Sequence, residues 1–312
     1  AEITAEQCDS AGLRALLNFP IIDMETAWAR DADACINRGL QLRDRYRDHD
    51  RIEIGFGPHS TYGVSEAILN KVAMLAEELD APVHIHLQET KEEVLSSVER
   101  CGLRPIDLLQ KLGLLSPRTH CVHMNAIGEQ DIETLAIHGA HVVHCPRSNL
   151  KLASGISPVQ KLLDHGINVA LGTDGAASNN RLSMLAEAQT ASLIGKVQHG
   201  DPQALSAWTV LEMATLSGAR ALGKANQLGS IEIGKLADLI AVDVSGSHQQ
   251  PQNNVASNLV YANNGSEVLW SWIGGRLIMS NGRLQTLDYN DVTHRAMNWS
   301  SQLAALRSSL EH

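Results

Sequence analysis

Cysteine is the first scarcity. The 312-residue chain has five, Cys8, Cys35, Cys101, Cys121 and Cys145, an odd number at wide spacings with no CxxC pair. That argues against a disulfide framework and suits a reducing cytoplasm, where the protein is expected to work. A cysteine-ligated zinc deaminase is disfavoured too, since there is no PCxxC. Basic charge is also short. Lys and Arg number 25 against 35 Asp and Glu, for a formal charge of -10. Neither nucleic acid nor an anionic membrane is expected as a partner, because both demand basic patches. No apolar run approaches the roughly 20 residues that span a bilayer. There is no GxGxxG for a dinucleotide and no GxSxG elbow for a serine hydrolase. The first residues lack the basic-then-apolar pattern of a signal peptide.

What the chain does have is a strand followed by a helix, about six times over. Short apolar runs at 12–18, 51–57, 83–87, 119–123, 141–144 and 168–173 read as strands. Helices are expected at 3–11, 24–47, from Ser65 through Leu79, from Thr90 to near Gly102, and at 106–112 and 129–138. More follow after Ser157-Pro158, at 183–197 and at 206–222. Thr90 with Glu93 has the form of a capping box, and Ile68, Val72, Leu75 and Leu79 share one helical face. Such alternation points to a parallel sheet covered by helices. A doubly wound sheet and a closed barrel both fit. Polar His and Asp at the ends of several strands favour the barrel.

After Leu222 the texture changes. Residues 228–235, 237–242, 268–273, 276–278 and 283–285 read as strands with Gly turns, around a polar loop at 246–254. Residues 290–310 read as an amphipathic helix. The expected organisation is therefore a catalytic barrel unit over 1–222, a small β-sandwich module over 223–288 and a terminal helix over 289–312.

Five strand ends carry polar groups that packing does not require: His59, His86 with Glu89, His120 or His123, His144, and Asp174. A barrel gathers its strand C-termini into one cavity, so these groups would converge. Imidazoles with a carboxylate suit Zn²⁺ or Fe²⁺. A metal with an open position lowers the pKa of its water towards about 7. Asp174 can take that water's proton, and Glu89 can give one to a substrate. His120 and His123 lie three apart on a strand, so only one enters the barrel. The same holds for His141 and His144. His84 shares a face with His86 and is expected deeper, as packing or support. Lys151 is expected to be structural.

At these residues the sequence resembles a known family. The runs 84–90 (HIHLQET), 119–123 (THCVH), 148–152 (SNLKL) and 172–180 (GTDGAASNN) are similar to motifs of the amidohydrolase superfamily. Within it they resemble the branch of S-adenosylhomocysteine/methylthioadenosine deaminases and triazine hydrolases. Residues 57–60 (GPHS) and 229–243 fit the same pattern. The resemblance covers nearly the whole chain. It implies a (β/α)8 TIM barrel of the metal-dependent hydrolase type, binding a divalent metal, most readily zinc, with iron an alternative. His86, Asp174 and His120 would serve at the metal centre. His120 would hold the attacking hydroxide, Glu89 would contact the purine ring nitrogen and Asp174 would also accept a proton. His59 would contact the ribose, and Arg30 a homocysteine carboxylate.

The implied reaction is hydrolytic deamination of an adenine nucleoside thioether by a homo-oligomeric enzyme. A guanine, triazine or other amino-heterocycle hydrolase is the alternative. The family's first strand carries a His-x-His pair. The only His-x-His here, His84-Ile85-His86, carries the fifth-strand motif. The chain is therefore expected to lack about two strand–helix units that precede residue 1. That makes a catalytically incomplete fragment a third expectation.

Overall fold

The computed structural model describes residues 1–263 and 265–310. Six strands form one parallel sheet in chain order: β1 (Ala15–Ile21), β2 (Ile52–Pro58), β3 (Val83–Leu87), β4 (Thr119–His123), β5 (His141–His144) and β6 (Val169–Leu171). Every connection between them contains a helix, as parallel pairing requires. The outward faces bury Ile54, Ile85, Cys121, Val142 and Val169 under those helices. On the opposite face the register sets His84 beside His120 and His120 beside His141. β1 and β6 are not paired with each other among the described residues.

Several helix ends differ from the sequence expectation for local reasons. The helix expected from Met24 starts only at Ala32 and runs Ala32–Arg45. The Thr26 hydroxyl ties the amides of Trp28 and Ala29 into a turn, and Asp31 then caps the helix through Ala34. Thr90 caps the helix Lys91–Cys101, and Gly102 ends it at φ 74. The Glu93 carboxylate accepts from the amides of Gln88 and Glu89. Ser157 does not cap its helix. Pro158 takes that place and the Ser157 hydroxyl is buried without a partner. The single helix expected over 206–222 is two, Ala207–Met213 and Leu216–Ala221, broken at Thr215. A further short helix, Pro146–Lys151, follows β5, where the sequence analysis places no helix.

The last third builds a second, antiparallel sheet. It contains β7 (Leu239–Val242), β8 (Val268–Ile273), β9 (Arg276–Ser280) and β10 (Arg283–Leu284) in the order β10-β9-β8-β7. Gly274 and Gly275, both at positive φ, make the tight turn between β8 and β9. The strand expected at 228–235 is a turn-rich loop, closed by Lys235 and Glu232 around the Ser230 hydroxyl. A second leaf of a sandwich is not present among the described residues. The terminal helix is Tyr289–Leu310, and its side chains are exposed through residue 303. Residues 311–312 of the expected terminal segment lie outside the described residues. Among the described residues no helix is long and apolar enough to cross a membrane.

Candidate active site

The chemistry-bearing residues follow the C-terminal ends of the parallel strands, where such sheets place ligand sites. His59 follows β2. His86 sits near the end of β3, with Glu89 after it. His123 ends β4, and Asp174 follows β6 by three residues. Four residues at these ends leave extended backbone for positive φ: Gln88 (49), His123 (76), Met124 (50) and Asp174 (58). Such conformations cost a non-glycine residue about 1 kcal/mol or more, and they aim side chains that a regular strand would not. A cavity of about 270 Å³ lies between His59, His86, Glu89, His123 and Asp174, with Tyr62, Leu152 and Ser178 as further walls.

Each group is held from behind. His86 donates Nδ1–H to the His59 carbonyl at 2.8 Å, which leaves Nε2 as its free nitrogen. Its ring stacks on His123, with centroids 5.5 Å apart. Glu89 accepts from the Ser154 hydroxyl at 2.8 Å, and its other oxygen lies 3.7 Å from Nε2 of His123. Asp174 accepts from the Ser148 hydroxyl at 2.6 Å and from the Gly175 amide at 2.7 Å. Burial raises the Asp174 pKa, but these two bonds, with His123 and His86 nearby, outweigh it and hold the carboxyl below its usual range. Burial lowers the His123 pKa against the opposing pull of Glu89. His59 is also lowered by burial, and then by His86.

Two expected site residues are elsewhere. His120 is buried one layer deeper, between His84 and His141, and donates Nε2–H to the Ala221 carbonyl at 2.7 Å. His123 faces the cavity in its place. Regular alternation would keep His123 off the face of His84 and His120, but its φ of 76 breaks the alternation and turns the ring inwards. Arg30 lies in the turn before the helix Ala32–Arg45. Its side chain is 84% exposed and pairs with Asp31 at 3.1 Å. His144 is buried, its Nδ1 has no partner, and burial pushes its pKa down to about 3. His141 contacts Asn168 instead. Lys151 bonds the Ala177 carbonyl and the Asn180 side chain, a structural role. Sequence reasoning missed Ser148, Asn149 and Ser154 as support. The run 148–152 holds Ser148 and Asn149 and is the signal for those two, whereas Ser154 lies beyond it.

A divalent metal fits these donors in part. His86 has the form of a metal-ligating histidine, with its second nitrogen on a carbonyl. Asp174 is an ionised, hydrogen-bonded carboxylate. Among the described residues, however, no three His, Cys, Asp or Glu side chains are grouped to hold an ion, whereas catalytic zinc takes three protein ligands. The described chain thus offers two donors of such a set. A larger cavity, about 650 Å³, opens near the start of β2. Its Arg43 is engaged by the Ile54 and Leu79 carbonyls and its Lys224 by Glu53.

Comparison with known proteins agrees with the geometry. The model of the amidohydrolase family matches residues 1–278. The chain is 49% identical over 306 residues to a 5-methylthioadenosine/S-adenosylhomocysteine deaminase of Teredinibacter turnerae, covering 98% of this chain and 69% of that protein. It is 40% identical over 299 residues to a 5'-deoxyadenosine deaminase of Methanothermobacter thermautotrophicus, covering 96% and 70%. Among solved structures, an adenosine deaminase from Xanthomonas campestris with bound zinc superposes at a TM-score of 0.95 and 42% identity, over 97% of this chain and 69% of that one. The chain therefore belongs to the amidohydrolase family.

Proposed function

We propose that this protein hydrolyses the exocyclic C–N bond of an adenine nucleoside, of the methylthioadenosine, S-adenosylhomocysteine or 5'-deoxyadenosine kind, and releases ammonia. The observation that carries the reading is the meeting of His86, His123, Glu89 and Asp174 at one strand-end cavity. Similarity to the named deaminases supports the substrate class. His86 and Asp174 would hold part of the coordination of a divalent metal, zinc or iron, which would supply a water of lowered pKa when bound. Asp174, kept ionised by Ser148 and Gly175, accepts the proton of the attacking water. Glu89 is held by Ser154 and donates a proton to the ring nitrogen beside C6. His123 holds the attacking oxygen in place through Nε2. His59, half-buried next to His86, contacts the ribose.

The reading includes a larger frame. The six-stranded sheet is part of a (β/α)8 barrel, with two further strand–helix units joining β1 to β6 and contributing the His-x-His ligands. The four-stranded sheet is one leaf of a β-sandwich. The open edges of β1 and β6 support the first point, and the two-donor metal set supports it independently. In this frame residues 1–222 form the catalytic unit, 223–288 the β module and 289–312 the terminal helix, and the assembly is a homo-oligomer.

The test is ammonia release, with the ultraviolet change of adenine to hypoxanthine, across adenosine, methylthioadenosine, S-adenosylhomocysteine, 5'-deoxyadenosine and guanine. Zn²⁺ or Fe²⁺ is supplied. The chain is assayed as it is and extended by the two strand–helix units. Turnover of an adenine nucleoside by the extended form, removed by a chelator and restored by metal, is the expected result. Preference for guanine would shift the reading to the other amino-heterocycles. No turnover of any substrate by either form would overturn it.

A further inference from the structure

Behind His123 runs a row of two amide side chains. Asn149, buried in the helix Pro146–Lys151, has one end of its amide 2.8 Å from Nδ1 of His123. Its other end lies 2.8 Å from the amide of Asn125. The far end of Asn125 lies 3.0 Å from the backbone carbonyl of Glu89. An amide can be turned over without changing its shape, so the ends of such a row decide its direction. One end here is a carbonyl, which only accepts.

Asn125 must therefore present NH₂ to Glu89 and its oxygen to Asn149. Asn149 must present NH₂ to that oxygen and its own oxygen to His123. An oxygen 2.8 Å from Nδ1 requires a proton on Nδ1. Turning over both amides sets two oxygens face to face at the Glu89 carbonyl. Gly155 keeps the row in place, since a Cβ there would lie 3.2 Å from that of Asn125.

We infer that the Glu89 carbonyl, acting through Asn125 and Asn149, fixes neutral His123 as its Nδ1–H tautomer and turns the Nε2 lone pair to the cavity. Nε2 then faces the Glu89 carboxyl at 3.7 Å and can accept a proton while Nδ1 keeps its own. Asn125 and Asn149 are positioning residues, since neither lines the cavity. Glu89 has a double part: its side chain lines the cavity and its carbonyl sets the tautomer of its neighbour. Only the use made of Nε2 rests on the deaminase reading. The tautomer does not.

Histidine-selective ¹⁵N NMR of the full chain tests this, with the His123 signals identified by their loss in His123→Gln. The wild type is expected to show protonated Nδ1 and bare Nε2. Asn125→Leu does not touch the ring, yet it frees Asn149 to turn over and shifts His123 towards Nε2–H. Asn149→Leu removes the acceptor and does the same. Asn149→Asp keeps an acceptor opposite Nδ1 and retains the wild-type form. In turnover by the extended form, Asn149→Leu lowers kcat by about 10–100-fold with KM little changed, and Asn149→Asp recovers part of the loss. A wild-type ring protonated on Nε2 overturns the inference, even if no variant folds. So does a tautomer unchanged in both leucine variants. Absent turnover by the extended form, with the Nδ1–H form intact, counts against the deaminase reading and leaves the tautomer assignment standing.

Discussion

At the scale of single residues, Asp174 and Ser148 belong together. The Ser148 hydroxyl and the Gly175 amide keep the Asp174 carboxyl ionised against its burial. Asp174→Asn is expected to lower deamination by about 10²–10⁴-fold, as loss of a general base does, with an unchanged circular dichroism spectrum. Ser148→Ala should act through pH. Without that bond the Asp174 pKa rises, so the carboxylate is protonated at a higher pH. The acid limb of the kcat/KM profile is then expected to move upwards while the plateau is less affected. An acid limb at the wild-type position would remove the proposed role. Asp174, His86, Glu89 and His59 were legible in the sequence because each stands at the end of an apolar run. Ser148 was not, because its partner is 26 residues away and only the fold brings them together.

At the scale of elements, strand ends and helix contacts decide the geometry. The helix Ala32–Arg45 rests on β1 through Gly39. A Cβ there would lie 2.3 Å from the Phe19 ring, which is fully buried. Gly39→Ala is therefore expected to destabilise by about 1–3 kcal/mol, measured by urea unfolding, since overpacking forces ring or backbone to shift. An unchanged midpoint would mean that the helix slides without cost. The strands themselves were readable to within a few residues, from Val, Ile and Leu runs bounded by Gly and Pro. The helix Pro146–Lys151 was not, because six residues are too few to show a 3.6-residue period. The period of two also misled at β4. It holds only while the backbone stays extended, and His123 leaves that region at the last position.

At the scale of the whole molecule, buried histidines set a pH dependence. Burial lowers the pKa of His84 and His144 to about 3, against about 6.5 in an unfolded chain. Between those values the unfolded state binds more protons than the folded state, so stability rises with pH through this window and is lost as pH falls towards 3. Each such group contributes a slope of up to about 1.4 kcal/mol per pH unit. Urea unfolding from pH 4 to 8 is expected to show rising stability that levels off near pH 7. His144→Asn should flatten the rise, because its buried ring is then gone. The same slope in that variant would place the titrating groups elsewhere.

The strand–helix alternation of the parallel sheet, the strand-end carboxylates and histidines, and the family were all determined by the sequence itself. They depend on patterns within ten or so residues, where apolar spacing, caps and glycines act directly. Which histidine enters the cavity, that Arg30 stays outside it, and which nitrogen of His123 carries the proton were decided only by the tertiary structure. Each of these depends on a backbone turn or a hydrogen-bond partner contributed by another strand or helix, and no local pattern encodes where such a partner will stand.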